Sequence, residues 1–323
     1  MKNKNVVCFI AGLILAVLWA CEQTGDRIPL QLRLDPGKSY TLQVLSEQMI
    51  TETVYGKVRQ TANMIGMGFI FAVRSVDAAG DAVVEITIHS AQFRQDRDGQ
   101  TVEYDSRRFS SSSLETPPAA MGIAAMIGES FAATLSRTGT IKQIEGADAM
   151  VGRVAQKLMI PEGQEKAALV DGLREQFGDR SFKEMMENLL AHYPGNPVRK
   201  GESWERNSLV SSGIPLVLHN TWALNGIKDG RLSLAVRSVG KPRLSDANGN
   251  ASNLCYDVAG MQEGTMELDA GSGWIKSGTF RQQLSGRVIV EGSQQLGQSI
   301  SWPISVESTT TFSPIEGLPE VSG

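Results

Sequence analysis

The sequence predicts an α+β protein, mainly antiparallel β, with two similar β-rich halves (curved sheets or sandwich-like) and a helical segment between them. Three observations predict it. Apolar residues alternate with polar ones at period two: Tyr40, Leu42 and Val44; Val84, Ile86 and Ile88; Leu232, Leu234 and Val236. Such alternation fits sheets with one packed and one wet face, hence antiparallel ones. Glycine-bearing turns separate the runs, at 77–81, 96–99, 137–139, 228–230 and 271–273, each supplying a residue able to take positive φ. Between about residues 117 and 193 the spacing turns helical instead.

Along the chain, residues 1–20 read as a secretory signal. Lys2 and Lys4 form a basic start, and 6–19 is an unbroken apolar run. It is shorter than the ~20 residues a membrane-spanning helix needs. Leu18-Trp19-Ala20-Cys21 resembles the lipobox of bacterial lipoproteins, which implies that Cys21 is acylated as the first mature residue. Glu22 in place of Asp leans the sorting towards the outer membrane. With ~0.8 kcal/mol for each buried methylene, several acyl chains hold a protein on a membrane essentially permanently. Residues 21–29 are then a short lipidated tether.

Residues 30–145 form the first β-rich half. Within it, Pro117-Pro118 opens a short helix over 119–127, and a hairpin follows at 128–145. The helical segment, 146–199, carries three patterns. Met150, Val151, Val154 and Leu158 stop before Pro161; Leu169, Val170, Leu173 and Phe177 run into Gly178. A third helix is expected from Ser181, with Glu184 completing a capping box and Pro194 ending it. Residues 200–323 form the second β-rich half. Gly201-Glu202-Ser203-Trp204 echoes Gly37-Lys38-Ser39-Tyr40, and each is followed by two hairpins, which suggests an internal duplication.

Composition excludes some functions. The 31 Lys and Arg against 35 Asp and Glu give a net charge of −4; removal of 1–20 takes two lysines and leaves −6. Nothing here forms a basic footprint for nucleic acid. Cys8 leaves with the signal and Cys21 is acylated, so Cys255 stands alone and no intramolecular disulfide is expected in the mature chain.

Catalytic and metal motifs are weak. Gly37-Lys38-Ser39 fails as a phosphate loop, because Leu32 sits where Gly is needed and a strand follows, not a helix. His89 and His219 fall in strands; His192 lies at a helix end, where a cation suits the dipole. No spacing pairs them as zinc ligands. Asp246, Asn248, Asn250 and Asp257 stand at positions one, three, five and twelve of a candidate calcium loop. Ala251 occupies its glycine position and no amphipathic helices flank it, so an Asn/Gly-rich turn accounts for the same residues. No cofactor is expected beyond covalent lipid on Cys21.

The two Gly-x-Ser-aromatic strand starts, the 135–141 hairpin with Ile144-Glu145-Gly146, and the 264–275 hairpin resemble an uncharacterised group of Gram-negative lipoproteins that carry a domain of unknown function. The resemblance covers roughly 30–312 and implies no catalytic or binding residue.

The expectation is a non-enzymatic lipoprotein of the cell envelope. It would be anchored in the outer membrane through acyl chains on Cys21, at its periplasmic face or the cell surface, and would bind or scaffold. The alternative is a lipid or lipoprotein carrier, with Met121, Met126, Met150, Met159, Met185 and Met186 lining a cavity between sheet and helices. A lipid and another envelope protein are the candidate partners. A large apolar cavity would favour the carrier, a convergent polar cleft an enzyme, and a filled core with a flat apolar patch the scaffold.

Overall fold

The computed structural model describes residues 26–108, 116–158, 163–190, 192–211, 213–243, 254–290, 292 and 298–318. Twelve strands among them pair into one antiparallel sheet. In chain order these are β1 (Ser39–Val54), β2 (Lys57–Val76), β3 (Ala82–Arg97), β4 (Gln100–Asp105), β5 (Ser130–Leu135), β6 (Ile141–Glu145), β7 (Ser203–Val210), β8 (Leu216–Lys228), β9 (Arg231–Pro242), β10 (Leu254–Asp269), β11 (Ile275–Val290) and β12 (Ile300–Ser313). Across the sheet the order is β6-β5-β3-β2-β1-β12-β11-β10-β9-β8-β7, with β4 paired to β3 off that path.

The two β-rich halves therefore share one sheet, spliced where β12 lies between β1 and β11. Each half advances in the same lateral sense. β1, β2 and β3 are followed by the β5-β6 hairpin; β7, β8 and β9 are followed by the β10-β11 hairpin. The two Gly-x-Ser-aromatic motifs open the corresponding strands β1 and β7.

Local chemistry sets the turns and the bend. Tyr55-Gly56, Asp98-Gly99 and Asp229-Gly230 have positive φ at both residues, as a two-residue turn matching strand twist requires. The two Asp-Gly turns are legible in the sequence. Tyr55 is not, because a bulky residue seldom adopts that conformation. β10 and β11 approach very closely at two glycines. A Cβ on Gly260 would stand 2.0 Å from the Gln283 carbonyl oxygen, and one on Gly286 2.0 Å from that of Asp257. Glycines so placed let a sheet curve.

The inner face is packed at one end by helices. A 3-10 turn, Pro118–Ala120, leads into α1 (Met121–Ala125), and α2 (Ala147–Lys157), α3 (Gln164–Phe177) and α4 (Asp179–Leu190) follow β6. α4 reaches both edge strands. It packs against β6 and β7, and Asn188 Nδ2 donates to the Leu209 carbonyl on β7 at 2.6 Å. Edge strands expose unpaired backbone, which invites association with other chains. Here one amphipathic helix covers part of both.

Beneath the helices the core is filled. Met126, Met150, Val154, Phe182, Met186 and Leu190 are buried against Phe69, Phe71, Ile86 and Leu135 of the sheet. Phe131 and Phe182 stack at 4.5 Å between centroids. Met126, Met150 and Met186 thus pack helix on sheet, while Met159 lies outside the described residues.

The helices are pinned to one another and to the sheet by charge. Asp179 accepts from the Ala147 and Asp148 N–H groups (2.9 and 3.2 Å), and Asp148 accepts from Asp179 N–H at 3.3 Å, so α2 and α4 cap each other. Glu129 pairs with Arg153 at 2.6 Å and Lys157 at 2.8 Å. Burial pushes the Glu129 carboxyl up, but these two cations outweigh it and hold the group below its ordinary value.

The expected capping box at Ser181 and Glu184 does not form. Gly178 passes α3 directly into α4, which starts two residues earlier. Ser181 then lies inside the first turn, and its hydroxyl donates to the Glu175 carbonyl, a group left open at the end of α3. Glu184 instead accepts from Arg243 and Ser211, tying α4 to the second half.

The N-terminal segment is docked from Arg27 onward. Arg27 donates to the Pro197 carbonyl at 2.6 Å, Ile28 bridges to Val198, and Leu30, Leu32 and Leu34 are buried. Part of the expected tether is therefore structured.

Phe182→Ala should cost about 3–5 kcal/mol, since it opens a cavity between α4 and β5. Urea denaturation would show a lower midpoint with an unchanged slope. A loss below about 1 kcal/mol would mean that α4 is not held by this contact.

Candidate functional site

The residues singled out in the sequence do not converge. Cys21, Asp246, Asn248 and Asn250 lie outside the described residues. Asp257 sits on β10, exposed on the outer face and in register with Arg287. Among the described residues no group of three His, Cys, Asp or Glu side chains is placed to hold a metal ion. Cys255 is half-buried on β10. His89 and His219 are exposed on strands, with His219 Nδ1 3.0 Å from Asn207 Oδ1.

The site that does form was not legible as a motif. Beyond α4, the described residues leave an open cavity of about 650 Å³ against the inner face of β1, β7, β8, β10, β11 and β12. Its deep end is aromatic, with Trp222, Phe280 and Phe312 beside Leu189 of α4. Phe280 packs edge-on against Phe312 at 5.0 Å and against Trp222 at 6.0 Å. Further from α4 the walls are aliphatic: Ile50, Leu216, Leu218, Leu284, Val288, Ile304 and Val306, with Val210 and Ile214. Leu254, Tyr256 and Trp302 stand near the strand ends, where Trp302 Nε1 donates to Glu52 at 2.8 Å. From Phe280 to Val288 the wall runs about 26 Å, at ~3.3 Å per residue.

A row of uncharged polar side chains crosses this face between the two apolar zones. Strand register places Gln48 opposite Ser308, Ser308 opposite Gln282, Gln282 opposite Gln262, Gln262 opposite Ser238, and Ser238 opposite Asn220. Within or beside the row, Gln282 Nε2 donates to Gln262 at 3.5 Å and Asn220 Nδ2 to Ser208 at 3.1 Å. Two buried oxygens have no partner, Ser238 Oγ and Asn188 Oδ1. Each such orphan costs about 1–3 kcal/mol.

Electrostatically the cavity is nearly bare. Its described lining contains two ionisable groups, Glu52 and Tyr256. Burial, and then the Glu52 charge, push the Tyr256 hydroxyl above its ordinary value, so it stays neutral at physiological pH. Such a surface can hold an apolar chain and hydrogen-bond a neutral group.

His192 borders this region and departs from expectation. It is buried, stacked on Tyr193 at 4.3 Å and Trp222 at 5.3 Å. Burial pushes its pKa down to about 3 and Arg206 adds to the effect; the Leu189 carbonyl pulls the other way without an aligned hydrogen bond to either ring nitrogen. It is therefore neutral and does not supply the expected cation to the helix dipole. The turn after α4 folds inward, because the Tyr193 hydroxyl donates to the Gly273 carbonyl at 2.6 Å and Trp204 Nε1 donates to the His192 carbonyl at 2.9 Å.

A model of a family of unknown function, DUF6263, matches residues 79–275. The chain belongs to that family. The DUF6263 match extends from the turn after β2 to the start of β11, and so includes the helices and much of the cavity wall. No curated protein matches the chain. The solved structure "Lipid-protein interactions in lipovitellin" is similar with a TM-score of 0.44 and 11% identity, over 90% of this chain and 26% of that one. The DUF6263 chain thus spans about a quarter of the length of lipovitellin. A DUF1329 family protein from Desulfovibrio piger is similar with a TM-score of 0.12 and 10% identity, over 86% of this chain and 87% of that one. Neither score bears on fold or ligand.

The unfolded chain binds a proton at His192 between about pH 3 and about pH 6.5 that the folded chain does not. Stability from this group is complete above the unfolded value and is lost as pH falls. From about pH 7 to about pH 5 the native protein should lose roughly 2 kcal/mol that His192→Phe does not lose. Equal pH slopes in chemical denaturation would show that His192 is not held neutral.

Proposed function

We propose that this protein is a lipoprotein of the bacterial envelope, held on the outer membrane by acyl groups on Cys21, whose body binds an acyl chain without chemically transforming it. The cavity behind α4 carries this reading. It is apolar at both ends, long enough for a hydrocarbon chain, and within the usual range of ligand sites. A bilayer leaflet is about 15 Å deep, half of the ~30 Å hydrocarbon core, so a wall of about 26 Å accommodates a full acyl tail. Burying about ten methylenes gains roughly 8 kcal/mol, the gross gain against which the costs of association are set. Between the expected scaffold and the alternative carrier, an unfilled apolar cavity favours the carrier. The membrane supplies both anchor and ligand.

Two experiments test the two parts. Cys21→Ser should abolish palmitate labelling and move the protein from the membrane to the soluble fraction; continued labelling would remove the anchor. The soluble chain starting at Glu22 should retain a co-purifying lipid in native mass spectrometry and take up a fluorescent fatty acid. Leu284→Trp, which fills the cavity, should weaken uptake about tenfold or more. A folded chain with neither bound lipid nor uptake would end the carrier reading.

A further inference from the structure

We infer that the cavity prefers an acyl chain whose head is small, uncharged and hydrogen-bonding, a hydroxyl-bearing ester or amide of the monoacylglycerol kind, over a free carboxylate or a phosphate ester. This rests on the acyl-binding reading above and adds the chemistry of the head. The row Gln48, Ser308, Gln282, Gln262, Ser238 and Asn220 is the place for that head, because it crosses the inner face between apolar zones. From Gln282 to Val288 the aliphatic wall runs about 20 Å away from α4, enough for an acyl tail with its head at the row.

The row offers both donors and acceptors in neutral form. Glutamine and asparagine amides carry two N–H donors and one carbonyl acceptor each. Asn188 Nδ2 is committed to the Leu209 carbonyl, which fixes the amide and leaves Oδ1 as an acceptor without a donor. Ser238 Oγ, fully buried within the row, is also without a partner. Asn188 lines the cavity, and a head carrying a hydroxyl or amide N–H answers its Oδ1, whereas a carboxylate, which only accepts, does not.

Charge points the same way. Among the described lining residues none is Lys, Arg or His. The cation nearest the row in register is Arg206, opposite Asn220, and its guanidinium donates to the Tyr193 carbonyl. An anionic head at the row would lose its water and meet no counter-charge. At the mouth it would meet the Glu52 carboxylate instead.

Competition for a bound fluorescent acyl probe decides the matter on the soluble chain at neutral pH. Palmitic acid, its monoglycerol ester, palmitoylethanolamide and a lysophosphatidylglycerol share one type of tail and differ at the head. The two neutral ligands should displace the probe about tenfold more tightly than either anion. The variant Gln262→Leu with Gln282→Leu should bring the four within about twofold, a readout that intrinsic lipid solubility would not move. Its folding is checked by circular dichroism, and the single variants serve if the double one does not fold. Anions binding as well as neutral ligands, or a preference that survives in folded row variants, would overturn the inference and leave the acyl site standing. Failure of all four ligands to displace the probe would overturn the acyl-binding reading as well.

Discussion

A twelve-stranded antiparallel sheet has to bury one face and protect two edges, and α4 addresses both. Its apolar side, with Phe182, Met186 and Leu190, fills part of the inner face, while the helix packs on β6 and Asn188 bonds to β7, at opposite ends of the sheet. That is possible because β10 and β11 draw together at Gly260 and Gly286, where side chains would collide with backbone, and the sheet can curve. The mutual capping of α2 and α4 and the Glu184–Arg243 pair orient the helix.

The same helix creates the cavity by being too short to cover the whole inner face. Strands β10, β11 and β12 run 14 to 16 residues, and α4 has 12 at a smaller rise per residue. Beyond Leu189 the inner positions of the second half face one another across open space. A filled end confers stability and an unfilled end offers a binding surface, a division that small domains with a single core cannot easily make.

Polar residues at inward positions mark the border between the two. In β9 the inward series Leu232, Leu234, Val236 continues to Ser238, and in β11 Phe280 is followed by Gln282 before Leu284. Each departure taken alone is an ordinary irregularity in a strand. In register they form one continuous row, in which Ser238 Oγ has no partner, and Asn188 Oδ1 on α4 has none either.

The sequence by itself determined the strands, the Asp-Gly turns, the helical segment and its approximate limits, since periodicity and turn chemistry act over a few neighbouring residues. It also contained the echo between Gly37–Tyr40 and Gly201–Trp204. It could not show that both halves share one sheet, because the β1–β12 pairing joins residues more than 250 positions apart and depends on register. Local pattern also misled at Ser181, where the neighbouring helix took the hydroxyl, and at His192, where burial removed the charge. The cavity and its polar row were beyond reach for the same reason. Gln48, Ser308, Gln282, Gln262, Ser238 and Asn220 come from six separate strands, and only the tertiary fold sets them side by side.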